Sequence, residues 1–285
     1  MCIRDSDAVG TDLDPEDTYT CTFGVRIYGS GGEVNTDTVK FTVQEDEGNS
    51  TSKQASKTFT IVDQASAVWG VNASDRIYAR TGSSWLRMPG SLTQVDAGNN
   101  GEVWGVNAAG AVYKYAGNGK WTRMPGRLVQ VSVGSRSNGS SLVVGINAAG
   151  RIYRWDAGGW TRLSGRLAQV EAGNNGEVWG VNNGGAVYKY AGGNSWTRMP
   201  GVLKQVSVGS NPDGSTAVWG VNPSNKIYRY ATNGTWTRIA GVLEQIDVGL
   251  SQVWGVNPSD KIYRYAGNGA WTRITGSLDH ASAGT

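Results

Sequence analysis

The sequence predicts an all-β fold, a six-bladed β-propeller with four-stranded blades closed by its own C-terminal strand, and three observations carry that expectation. The first is the word Val-Trp-Gly-Val-Asn at residues 68–72, 103–107, 178–182, 218–222 and 253–257, with Val-Val-Gly-Ile-Asn at 143–147. Taking Trp69, Trp104, Val144, Trp179, Trp219 and Trp254 as register marks, the spacings run 35, 40, 35, 40 and 35 residues, a period typical of propellers or solenoids. The second is that each period holds four β-rich words bounded by Gly, Asn, Pro or Ser, four strands being one propeller blade. The third is closure: the five spacings add to 185 residues and a sixth of 40 gives a ring of 225, against 226 residues from Thr60 to Thr285.

Taken in order, Met1 to Ser6 reads as a translated sequencing adapter rather than native sequence, so the lack of a signal peptide there says nothing about secretion. Residues 7–44 are expected to form a hairpin, one strand carrying Tyr19, Cys21, Phe23 and Val25 and the other spanning Thr38 to Val43, around a Gly-rich turn at Gly29 to Gly32. Two readings stay open for it, a plain edge hairpin and the truncated tail of a sandwich domain. Residues 45–59, rich in Ser, Gln and Glu and without periodicity, read as a linker. From residue 60 to 285 the template Leu-x-Gln-Val, Val-Trp-Gly-Val-Asn, Ile-Tyr-Arg-Tyr and Trp-Thr-Arg repeats, and no 3.6-residue periodicity survives between the glycines.

The alternation of spacings makes the true unit a double blade of 75 residues, with the extra residues in 134–142 and 209–217. Leu-x-Gln-Val is placed innermost because its strands end in small residues such as Asp96-Ala97-Gly98 and Ser132-Val133-Gly134. The C-terminal Leu278 to Gly284 matches this strand and is expected to close the ring on Val68 to Asn72. Asp96, Glu171 and Asp247 would stand as three carboxylates on the channel wall, either as a cation or polar-ligand site on the axis or, the favoured reading, as a hydrated channel lining, since the carboxylates need not converge.

Composition narrows the function. Gly supplies 42 of 285 residues, and 12 Trp and 12 Tyr outweigh 3 Phe, so turns and polar-tipped aromatics dominate. A net charge of +3 with no Lys/Arg cluster argues against nucleic acid. No apolar run is long enough for a membrane helix, and neither Cys2 nor Cys21 fits a metal or redox pattern. One His and no Ser/His/Asp, Cys/His or phosphate-loop pattern leave an enzyme with little support.

The repeated aromatics suggest binding instead. The inner Trp of each Trp-Gly pair is expected to pack against a neighbouring blade's Gly. Trp85, Trp121, Trp160, Trp196, Trp236 and Trp271 open the outermost strands beside arginines such as Arg123, Arg198 and Arg273. A flat indole beside a hydrogen-bond donor suits a sugar ring; the competing reading is an indole and guanidinium that cap the blade edge and stack on each other. The Asn closing each second word is expected to build a turn, and sequons at Asn49, Asn72, Asn138 and Asn233 would suit secretion. No cofactor is expected, and a need for Ca²⁺ does not follow from the residues.

The recurring words Val103-Trp104-Gly105-Val106-Asn107, Ile262-Tyr263-Arg264, Trp271-Thr272-Arg273 and Leu128 to Gly134 resemble the tectonin family of β-propeller lectins, over about residues 60–285. That resemblance implies a secreted, extracellular, multivalent, non-enzymatic lectin for glycans of microbial or egg surfaces, N-acetylglucosamine-containing or lipopolysaccharide glycans, in innate immune recognition. It implies no membrane insertion and leaves oligomerisation open. The alternative it implies is a protein-interaction scaffold. Val144 for Trp, Arg80 and Trp155 for the second Tyr, and Leu86 for Thr depart from the pattern and mark the first and third blades as the ones to differ. The Pro15 to Cys21 stretch resembles the start of the penultimate strand of an immunoglobulin domain, whose earlier strands are absent here.

Overall fold

The computed structural model describes residues 34–44, 50–60, 68–156, 158–231 and 233–284, the first two ranges by backbone alone. The chain divides into Met1–Asp63 and Gln64–Thr285. In the first unit β1 (Val34–Gln44) pairs antiparallel with β2 (Ser50–Thr60), from Val34 opposite Thr60 to Gln44 opposite Ser50. The Thr38 to Val43 strand therefore exists within β1, but most of the expected linker is strand β2. Its sequence, with Ala55 and Phe59 among Ser, Thr, Lys and Gln, lacks the apolar contrast by which strands are recognised. The Tyr19 to Val25 strand, both cysteines and the immunoglobulin-like stretch lie outside the described residues.

The second unit is six four-stranded antiparallel sheets. The first blade holds β3 (Val68–Val71), β4 (Arg76–Thr81) and β5 (Ser84–Ser91), and the second holds β6 (Gln94–Ala97), β7 (Val103–Val106), β8 (Ala111–Gly117) and β9 (Lys120–Arg127). The third comprises β10 (Gln130–Ser135), β11 (Ser141–Ile146), β12 (Arg151–Asp156) and β13 (Gly159–Arg166). The fourth comprises β14 (Gln169–Ala172), β15 (Val178–Val181), β16 (Ala186–Gly192) and β17 (Ser195–Val202). The fifth runs β18 (Gln205–Ser210), β19 (Thr216–Val221), β20 (Lys226–Tyr230) and β21 (Trp236–Val242). The sixth runs β22 (Gln245–Val248), β23 (Val253–Val256), β24 (Lys261–Gly267) and β25 (Ala270–Ser277).

The last strand, β26 (His280–Ala283), returns to the first blade and pairs with β3, His280 opposite Val71 and Ala283 opposite Val68. Ring closure by the C-terminus is thus as the repeat arithmetic requires. It satisfies an edge that would otherwise present unpaired backbone groups. The extra residues of the third and fifth blades lengthen their inner hairpins, β10 with β11 and β18 with β19, to six residues per strand.

The Leu-x-Gln-Val strand is innermost in every blade. Each second-strand Gly faces the Leu of that word: a Cβ on Gly105 would meet Leu92 Cδ1 at 2.6 Å and the Gln94 carbonyl at 2.7 Å. The inner Trp therefore does not pack against a neighbour's Gly as expected. It reaches into the next blade and meets aromatics, Trp69 with Tyr115 at 4.9 Å and Trp121 at 6.0 Å, and Trp219 with Tyr265 at 4.9 Å. Such edge contacts suit the indole quadrupole and add to the burial of apolar area. The Asn closing each second word makes the expected turn, Asn72 Oδ1 accepting from Ser74 N at 3.1 Å and Arg76 N at 3.0 Å, with equivalents at Asn107, Asn147, Asn182, Asn222 and Asn257.

Candidate functional site

Two belts and one rim are the candidates. The lower belt is built by the Gln of Leu-x-Gln-Val, whose side-chain amide reaches the backbone of the next blade's inner strand. Gln94 Nε2 donates to the Val131 carbonyl at 2.9 Å while the Val131 N–H donates to Gln94 Oε1 at 3.1 Å. Gln130, Gln169, Gln205 and Gln245 repeat this on Val170, Val206, Ile246 and Ala281. At the sixth position stands His280, which holds the Val95 backbone and leaves its buried Nε2 without a partner. Burial lowers the His280 pKa to about 4.

The upper belt is the acid and Ser alternation. Asp96 accepts from Val133 N at 2.6 Å and from Ser282 Oγ at 2.7 Å, and Asp247 accepts from Ala283 N at 2.6 Å and Ser207 Oγ at 2.9 Å. Ser132, Ser207 and Ser282 in turn accept backbone N–H groups from Ala172, Val248 and Ala97. A hydrated lining is favoured where the carboxylates need not converge, and here they do: oxygens of Asp96, Glu171 and Asp247 gather within 4.8 Å of one another, and all three residues are buried. The reason is the three-fold double-blade repeat, which puts an acid at every second inner strand around a narrow axis. Burial, then the neighbouring Asp247 charge, raises the Asp96 pKa to about 8, and burial and the two other carboxylates hold Glu171 well above the usual range. Asp247 is raised by burial against its own hydrogen bonds. Like charges confined this closely keep protons near neutrality. Among the described residues this is the group of acidic side chains with cation-holding spacing, although its Asp oxygens already accept hydrogen bonds from the protein.

The rim carries the predicted glycan contacts. Trp85, Trp121, Trp160, Trp196, Trp236 and Trp271 are each half-buried, and each is spent in part on holding blades together. Trp121 Nε1 donates to the Pro89 carbonyl of the preceding blade at 3.0 Å, and the other five make the same bond to Thr275, Pro125, Ser164, Pro200 and Ala240. Each indole lies over a glycine of that blade, closely enough at Gly126, Gly201, Gly241 and Gly276 to crowd a side chain: a Cβ on Gly126 would come 3.0 Å from Trp160 Cδ1. The Gly paired with a neighbour's Trp is therefore the outer one, at φ +92 for Gly126.

Arg123, Arg198 and Arg273 are exposed, two positions beyond the Trp and on the same strand face. They do not stack on the indole. Arg198 lies 5.8 Å from the Tyr188 ring and Arg273 5.8 Å from that of Tyr263, and Arg273 also donates to the Gly276 carbonyl at 3.0 Å. The six Trp and the arginines do not converge on one site; they form six separate seams around the ring. Sequence reasoning found these residues but not the clamp role of the Gln, whose signal was its presence in five of six inner words.

The fold and these belts define a closed six-bladed propeller whose blades are joined by side-chain clamps. The Tectonin domain family matches residues 58–138 and 137–285, and the chain belongs to that family. No curated protein sequence matches significantly. Among solved structures, the ring is similar to SapL1 lectin in complex with alpha methyl fucoside, at 15% identity over 76% of this chain and 98% of that one with a TM-score of 0.50. It is similar to Prp20p from Saccharomyces cerevisiae, at 8% identity over 73% of this chain and 74% of that one with a TM-score of 0.50. It also resembles the six-bladed Aleuria aurantia fungal lectin, at 14% identity over 85% and 95% of the two chains with a TM-score of 0.46. Propellers of different kinds share this ring, so the likeness at these identities speaks for the fold.

Proposed function

We propose that this protein is a multivalent, non-enzymatic lectin that binds surface glycans through the outer seams between blades. The observation that carries the reading is repetition: six copies of a half-exposed indole with an exposed arginine two positions on, four of them opposite a tyrosine, at one position of each blade. A sugar needs a flat apolar face and a few fixed donors, and weak sites repeated around a ring gain avidity on a repetitive surface. Membership of the Tectonin domain family and the likeness to lectin propellers support it. The glycans proposed are N-acetylglucosamine-containing or lipopolysaccharide glycans of microbial or egg surfaces, met outside the cell in innate recognition. The exposed large apolar residues Leu86, Val129, Val202 and Val242 come from separate blades, which favours glycan over a protein-scaffold role.

The test is a glycan array with the full chain, with and without chelator, beside a variant carrying Arg123→Ala, Arg198→Ala and Arg273→Ala. The arginines are chosen because the indoles also hold the blades. Selective binding by the native chain, weakened at least about tenfold in the variant with an unchanged circular-dichroism melt, is the expected result. A blank array from a folded ring would remove the lectin reading and turn the search to protein partners.

A further inference from the structure

One blade junction departs from the other five. At three of the others the inner Trp is seated between an aromatic side chain of the next blade and a cation of its own blade, whereas Trp69 has Ala79 opposite it and Trp254 meets Arg80 of the next blade. Trp104 meets Trp155 at 5.7 Å with Lys114 Nζ 5.7 Å over its ring, Trp179 meets Tyr230 at 5.5 Å under Lys189, and Trp219 meets Tyr265 under Arg229. In the third blade the indole is replaced by Val144, while both flanking groups remain. Tyr190 of the next blade packs on the cluster that holds Val144 and keeps only its own blade's Trp196 as an aromatic partner, and Arg154 is Val144's partner across the sheet.

A cavity of about 230 Å³ opens here, lined by Leu142, Leu163, Val178 and Tyr190 below and by Arg136 and Arg154 at the rim. The polar chemistry is inverted relative to the Trp blades. In the second and fourth blades the indole N–H donates to an acid two residues earlier, Glu102 at 3.0 Å or Glu177 at 2.9 Å, and that acid pairs with the lysine, while the fifth blade has Ala217 at this position. In the third blade the acceptor is gone, replaced by Leu142. The rim carries two arginines around one carboxylate: Arg154 Nε bonds Asp156 at 2.9 Å, and Arg136 bonds Asp156 at 3.3 Å and the Ser141 carbonyl. The terminal nitrogens of Arg154 make no hydrogen bond among the described residues.

We propose that this cavity is a binding site for a single small aromatic carboxylate, whose ring takes the seat of the missing indole and whose acid meets Arg154 and Arg136. The walls ask for a planar apolar body, since Tyr190 and Arg154 are the groups that elsewhere face an indole, and cation-π attraction is available to any ring placed there. The rim asks for an acceptor rather than a donor, because its excess charge is positive and a guanidinium binds carboxylates by paired hydrogen bonds. The site is singular, unlike the six rim seams, and shares with them only Tyr190, which also stands opposite Trp196.

The experiment is isothermal titration of the full chain with 2-naphthoate and with the neutral 2-naphthamide. The expected result is one site per chain for naphthoate, with the amide about tenfold weaker or more, as loss of a charge-assisted pair implies. The double variant Leu142→Glu, Val144→Trp restores the second-blade pair and fills the cavity, and is expected to abolish binding while melting at or above the native temperature. Arg154→Gln, which leaves the apolar walls intact, is expected to weaken naphthoate about tenfold and naphthamide little, and it keeps the test decisive should the double variant misfold. No heat of binding by millimolar naphthoate, several sites per chain, equal affinity for acid and amide, or naphthoate binding that Arg154→Gln leaves unchanged would overturn the proposal.

Discussion

The inner ring and the outer rim of this propeller are built from the same four repeated words, yet they tolerate change differently. At the axis, the strands that carry Val95, Val131, Val170, Val206, Ile246 and Ala281 are fully buried and tied strand to strand by side-chain amides and by the acid and Ser belt. At the rim, the strands carrying the six outer Trp are half exposed, and an indole hydrogen bond joins each blade to the one before, with Ser164 and Asn194 adding a tie between the third and fourth. Crowding explains the contrast. Six inner strands share one narrow channel, where a backbone oxygen of one blade lies against the α-carbon of the next, whereas blades splay apart outward and leave seams. The ties between blades are concentrated inside, and the exposed side chains lie outside.

The sharpest way to break the comparison is a matched glycine pair. Gly134→Val places a Cβ inside the contact distance of the Gly173 and Ala172 carbonyls of the next inner strand, and is expected to cost more than about 4 kcal/mol or abolish folding. Gly117→Ala, at a rim turn with φ +85 and open space around it, is expected to cost only about 1 kcal/mol. Urea denaturation of both reads the difference; similar losses would remove the idea of a crowded axis.

Next in size is the clamp. Gln130→Leu strands the N–H of Val170 in the inner belt and leaves its carbonyl only the 3.4 Å bond from Gln169 Nε2, and is expected to lower stability by about 2 to 4 kcal/mol. Trp121→Phe loses one half-exposed hydrogen bond to Pro89 and is expected to cost about 1 kcal/mol. A rim loss equal to the belt loss would show that the amide ties are incidental.

The smallest effect sharpens the comparison within the inner ring, at the seam where the chain closes. His280 has its pKa lowered to about 4 from an ordinary 6.5, so the unfolded chain binds the proton first. Stability from this group is full above pH 6.5 and is lost as pH falls toward 4. Asp96 has the opposite sign: its folded pKa of about 8 exceeds the ordinary 3.8, so its contribution is present in acid and is lost as pH rises toward 8. His280→Gln restores the sixth clamp and is expected to gain about 1 kcal/mol and flatten only the acid arm of melting temperature against pH. An unchanged acid arm would show that His280 does not report on the seam.

Much of this ring was legible in the residues because repetition multiplies a weak signal. A single Val-Trp-Gly-Val-Asn is an ambiguous short strand, but five copies and one variant at alternating spacings specify six blades, their strand order and the closing strand at Leu278 to Gly284. The outer Trp were singled out by position, yet their bond to the preceding blade's carbonyl was not visible, since it depends on blade-to-blade distance. Strand β2 was missed because polar ribbon and polar linker have the same composition.

What the sequence alone determined is the repeat, hence the number of blades, the inner position of Leu-x-Gln-Val and the turn role of each Asn, all of which are local properties copied along the chain. What only the tertiary structure decided is what meets across the copies: Asp96, Glu171 and Asp247 converging on the axis, His280 occupying the one clamp without Gln, and a cavity beside Val144. These depend on distances between residues about 35 to 190 positions apart, which curvature and closure of the ring set and which no local pattern encodes.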